Sequence, residues 1–264
     1  MRLPLCALLL FLLAACDGPA PTRPAGGDDA WRSLAAAEGV AVEYRDRDAA
    51  LAPAIGEHAL AGRSAVAAFF GEPRLADVAV RLYPDRASLT AYWRATWAGP
   101  AFQPDCWMIG SATAAAVALL SPSAWPDEAC GHDPRDAAHV RRVVTHELVH
   151  VLHARLAGGT GTAGAQRWLY EGLAVHASGQ LDAAARARVR ALVAGGFAPA
   201  RFADLWAGPL PYESSGTLVA YVDRTLGRDA LRRLLRATSA ADVAEVLGAA
   251  EGEVLAGWVR EERE

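Results

Sequence analysis

The sequence predicts an α+β fold, with a small mixed sheet and a histidine-bearing helix in a first lobe and a mainly helical second lobe. Three observations carry this prediction. Short apolar segments with strand-like alternation occur only before residue 121, at 40–44, 78–83, near 109 and at 116–120. One long helical pattern, 136–156, holds four of the seven histidines. Beyond it lie only helical patterns, separated by clusters of Gly, Pro and Ser.

The chain has 264 residues, of which 53% are hydrophobic and 21% charged, which suits one large domain or two lobes. Its 26 basic residues, all arginine, stand against 30 acidic ones, leaving a net charge of −4. A nucleic-acid binder uses a basic excess to release counterions, so DNA and RNA are excluded as expected partners.

The chain opens with Arg2 and an apolar run through Leu13, then Ala14-Ala15-Cys16. A dozen apolar residues behind one positive charge form a signal-peptide core, too short for the roughly 20 residues that span a bilayer. The ending Leu13-Ala-Ala-Cys16 resembles the bacterial lipobox. That resemblance implies that 1–15 is removed and that Cys16 is acylated as the first mature residue, anchoring the protein to a membrane of the cell envelope on its periplasmic or outer side. Residues 16–30 then form the lipidated cysteine and a flexible, Pro- and Gly-rich tether. Of the four cysteines, Cys6 leaves with the signal and Cys16 takes the lipid. Cys106 and Cys130 remain and can pair in an oxidising compartment. The alternative, zinc held by Cys106, Cys130 and His132, lacks a close Cys-x-x-Cys pair.

In the sheet-containing lobe, 31–160, the strand at 40–44 is followed by a helix over 48–70, ended by Gly71 to Pro73. A second strand covers 78–83. Pro84-Asp85 opens a helix reaching about Trp97, and two short strands lie near 109 and at 116–120. Prolines and aspartates make 121–136 a loop, and Gly158-Gly159 ends the long helix. The helical lobe, 161–264, carries helices at about 166–178, 182–194, 213–226, 230–236, 240–247 and 251 to the end. Trp93, Trp97, Trp107 and Trp125 read as core or cleft-wall residues.

The long helix contains His146-Glu147-Leu-Val-His150. Four helical residues turn about 400° and rise about 6 Å, so the two imidazoles stack on one face and can share one ion. Zn²⁺ accepts two neutral imidazoles, and Glu147, beside them, can take a proton from water attacking a carbonyl. A third ligand is supplied downstream by Glu171, in Trp168-Leu-Tyr-Glu171-Gly-Leu-Ala174. The intervening residues leave room for the first helix to end and a second to return alongside, with Gly172 and Ala174 permitting close approach.

These two motifs resemble the gluzincin metallopeptidases, the thermolysin-like clan, and most of all a bacterial peptidase group with Trp-x-x-Glu-Gly-Leu-Ala. The resemblance implies a zincin-like fold, one zinc ion held by His146, His150 and Glu171, Glu147 as general base, and a peptide or protein substrate. Tyr212-Glu-Ser-Ser215, and Leu247-Gly248 with Trp258, are similar to later elements of that group, and imply Tyr212 as a donor to the oxyanion of the tetrahedral intermediate. A metzincin would need glycine at 153 and histidine at 156, where this chain has His153 and Leu156. His153 lies roughly 10 Å along the axis from His146, too far to join the same ion. His132 and His139 read as surface or packing residues, and His176 as a further candidate proton donor. Thermolysin has an aspartate four residues after its glutamate ligand, orienting an imidazole, and here that position is Val175. The partner of the imidazole must come from elsewhere. Two other readings use the same residues: an envelope lipoprotein in which zinc staples helices around a binding surface, and a zinc-free scaffold module.

Overall fold

A computed structural model describes residues 30–73, 75–158 and 166–264. The signal segment, Cys16 and nearly all of the tether lie outside the described residues. The fold is mixed α+β. Along the chain come β1 (Arg32–Ala37), β2 (Val40–Tyr44), α1 (Ala52–Phe70), β3 (Val78–Tyr83), α2 (Arg86–Trp93), β4 (Gly110–Ala112), β5 (Ala116–Leu120), α3 (Trp125–Glu128) and α4 (Ala137–Leu156). Then follow α5 (Arg167–Ser178), α6 (Ala183–Ala194), α7 (Phe202–Ala207), α8 (Pro211–Leu226), α9 (Arg228–Leu234), α10 (Ala240–Leu247) and α11 (Glu251–Arg263). Among the described residues no helix is long and apolar enough to cross a membrane.

The five strands form one sheet in the order β1-β2-β3-β5-β4. The pairs β2·β3 and β3·β5 are parallel, while β1 and β4 run antiparallel at the two edges. Strand β1 was not expected. Its Arg-Ser-Leu-Ala-Ala-Ala sequence has little β-propensity. It is held by a two-residue hairpin in which Glu38 (φ 47°) and Gly39 (φ 81°) both take the left-handed conformation that matches strand twist.

Local signals set the helix ends near the site. The Asp136 side chain accepts from the amides of Ala138 and His139, satisfying donors that the first turn of α4 leaves open. Gly179 (φ 76°) closes α5 in the left-handed conformation. Helix α2 starts on an Asp85 cap, and a π-helical turn, Arg94–Ala98, continues it past the end of the α-helix. Short helices α3 and α7 fall in segments read from sequence as loop.

Helix α4 is buried from Val143 to His153 because α1, the β4–β5 edge of the sheet and α5 pack around it. Gly62 on α1 permits one of these approaches: a Cβ there would stand 2.7 Å from Thr145 Oγ1. On its other side α5 packs against α8. Gly172 belongs to that second contact, which corrects its expected role against α4. A Cβ on Gly172 would lie 2.6 Å from the Ser215 carbonyl oxygen and 2.8 Å from Val219 Cγ2. The main apolar cluster runs continuously from Val40 to Val259, with Trp93, Trp125, Trp168 and Trp258 fully buried. Trp97 departs from its expected place, being 53% exposed on the surface.

Candidate metal centre

The i,i+4 spacing on α4 does what helical geometry requires. His146 and His150 point to one side, and their Nε2 atoms stand 3.0 Å apart. Helix α5 returns alongside and brings the Glu171 Oε2 atom 3.2 Å from His146 Nε2 and 3.4 Å from His150 Nε2. All three side chains are buried. Ligands about 2.05 Å from a tetrahedral ion stand about 3.3 Å from one another, so this triangle has the dimensions of three corners of such a site. These are the residues among those described that form a group able to hold a metal ion.

The electrostatics fit a cation. Burial acts to raise the Glu171 carboxyl, yet the facing imidazoles of His150 and His146 hold it well below the usual carboxylate range. Burial opposes a proton on His146, but the hydrogen bond to Glu171 and the charges of Glu147 and Glu171 raise its pKa above 6.5. Two imidazole lone pairs 3.0 Å apart beside a carboxylate repel unless a proton or metal cation lies among them.

Glu147 flanks this triangle without belonging to it. Its carboxylate packs on β4, where a Cβ on Gly110 would approach Oε1 to 2.5 Å. Its Oε2 atom is buried with no hydrogen-bond partner, and burial pushes the carboxyl up despite the two imidazoles. A buried carboxylate oxygen thus lies open beside a group of side chains that could hold a cation.

Tyr212 enters from the start of α8, where Leu210 holds a left-handed φ of 54°. Its ring centroid is 6.3 Å from that of His146, and it sits edge-on to Trp107 and Trp206 at 5.5 and 5.1 Å. Burial, reinforced by Glu171, pushes the phenol well above 10, so it keeps its proton at neutral pH.

Cys106 and Cys130 are joined by a disulfide with Cα atoms 5.3 Å apart, which removes both sulfurs from the alternative zinc set. His132 and His139 pair with each other at 3.0 Å over Trp125 and act as packing residues. His176 pairs with Asp223, its Nε2 2.9 Å from Oδ2, and its ring packs edge-on to Phe69. His153 is buried below the triangle and makes no hydrogen bond.

Two neighbours of the ligands were not legible from spacing. Tyr170 stacks flat on His150, with centroids 3.9 Å apart and planes 7° from parallel. Gln180, just past the glycine that closes α5, places Oε1 2.7 Å from His146 Nδ1. The Gly179 stop was the available signal for a chain reversal there, but it does not say where the next side chain points. A scan against protein-family models and a search of curated proteins each find no match to this chain.

Proposed function

We propose that this chain is a zinc-dependent, gluzincin-like metallopeptidase, tethered to a bacterial envelope membrane through Cys16 and hydrolysing peptide bonds outside the cytoplasm. The observation that carries the reading is the triangle of His146, His150 and Glu171, with edges of 3.0 to 3.4 Å and the unpartnered Glu147 carboxylate beside it. Three protein ligands and a neighbouring carboxylate are the donor set of a catalytic zinc site, whereas a structural zinc usually has a fourth protein ligand. A zinc ion held there would polarise a carbonyl and lower the pKa of water toward about 7.

The chain's own groups supply the rest. Glu147 would accept the proton released as water attacks the carbonyl carbon and return it to the leaving amine. Burial raises its pKa above the ordinary carboxylate value, which makes it a better proton acceptor. Tyr212, protonated and beside His146, would donate a hydrogen bond to the developing oxyanion. Strand β4 is a sheet edge and its Gly110 abuts Glu147. An extended peptide adding to that edge would run past the carboxylate, which supports a peptide over a compact substrate.

Glu147→Gln separates the base from the ligands. The variant is expected to keep its zinc and lose hydrolysis by several orders of magnitude in a proteomic cleavage screen run beside the wild type. Equal cleavage by both proteins would contradict the role of Glu147, and cleavage by neither would favour the zinc-stapled scaffold.

A further inference from the structure

The two imidazoles of the triangle are held in different ways. His150 has a buried Nδ1 with no hydrogen-bond partner and is kept in place by its stack on Tyr170. His146 instead directs Nδ1 at Gln180 Oε1, 2.7 Å away. An amide oxygen only accepts, so this hydrogen bond places a proton on Nδ1 and makes Nε2, the atom facing Glu171 and His150, the nitrogen that would offer its lone pair to an ion in the triangle.

The backbone makes Gln180 a fixed partner. Gly179 reverses the chain as α5 ends, and on the other side Leu181 is buried and the Asp182 side chain caps α6 at the Ala185 amide, 2.8 Å away. Val175, one turn past Glu171, packs in an apolar cluster with Leu181, Ala185 and Ala220, and has no oxygen to offer. Metal-binding histidines commonly pass their second N–H to a carboxylate or carbonyl group.

We infer that Gln180 is the positioning residue of the metal site: its amide fixes the tautomer and ring orientation of His146, with a neutral acceptor where a carboxylate would make the imidazole a stronger donor. This rests on the reading of the triangle as a zinc site. It predicts that the site binds zinc less tightly than it would with glutamate at 180.

The test uses the full chain and zinc alone, with affinity read by competition against a chelator. Gln180→Leu should weaken zinc binding about 10- to 100-fold, and Gln180→Glu should bind zinc more tightly than the wild type. In the zinc-loaded wild type, the His146 Nδ1 proton should appear as a protected downfield imidazole resonance. That resonance should broaden by exchange in Gln180→Leu, a change that a merely structural role would not produce. Thermal unfolding of the metal-free proteins checks that Gln180→Leu folds. Should it fail to fold, the wild-type resonance and the affinity of Gln180→Glu decide the question. Equal zinc affinity in all three proteins with an unchanged resonance overturns the role of Gln180 and leaves the metal site standing. A wild type that binds no zinc overturns both.

Discussion

His153 shows how much a single buried side chain can reveal. Both its ring nitrogens lack partners, and burial, helped by His150, lowers its pKa from 6.5 to about 4. Between those values the unfolded chain binds a proton that the native chain refuses. Its contribution is therefore intact above pH 6.5 and is lost as pH falls toward 4, amounting to about 3 kcal/mol over that window. Denaturation from pH 8 to pH 4 with chelator present should show wild type losing about that much more stability than His153→Leu. Parallel pH curves would contradict it. At this scale the convergence of His146 and His150 was legible because i,i+4 spacing on a helix is rigid geometry that sequence encodes directly. Gln180 and Tyr170 were not, because their reach depends on where α5 ends and how it lies against α4. The pairing of His176 with Asp223 was hidden for a related reason: it depends on how α8 lies against α5.

Among elements, the placement of Glu171 depends on how closely α5 can approach its neighbours. Gly172 lets α5 lie directly on the α8 backbone, since a methyl group would come within 2.6 Å of the Ser215 carbonyl oxygen. A backbone oxygen cannot rotate away, so the helices must separate. Gly172→Ala is expected to cost about 1–3 kcal/mol by overpacking and to weaken zinc binding by moving the adjacent Glu171. Unchanged stability measured by denaturant, with unchanged zinc affinity, would show that α8 does not set the position of α5. The glycine was visible in the sequence as a sign of close approach, but its partner was not, because α4 and α8 lie on opposite sides of α5. Four of the five strands were legible from their apolar alternation. Strand β1 was hidden by its alanines, and tertiary pairing with β2 overrides that weak local preference.

For the whole molecule, the disulfide ties together the loops that border the site. Cys106 precedes Trp107, whose ring meets Tyr212, and Cys130 precedes the loop bearing His132, which bonds the Trp107 carbonyl oxygen. Arg86 braces the same segment through the carbonyl oxygens of Cys106 and Met108. With a sequence separation of 24, the crosslink should contribute on the order of 3 kcal/mol by restricting the unfolded chain. Reduction should lower the denaturant midpoint accordingly, and no shift would contradict that contribution. The pairing followed from counting cysteines, whereas the loop's position beside Tyr212 required the folded chain.

Metal stoichiometry of the purified chain, read together with its thermal stability with and without zinc, tests the central claim most directly. One zinc per chain is expected, removed by chelator, with about 2.7 kcal/mol of added stability when free zinc reaches 100 times its dissociation constant. Glu171→Ala should fall below stoichiometric binding and lose that gain. A wild type that takes up no zinc and melts identically with and without it would contradict the account, as would a Glu171→Ala variant that binds as tightly as the wild type.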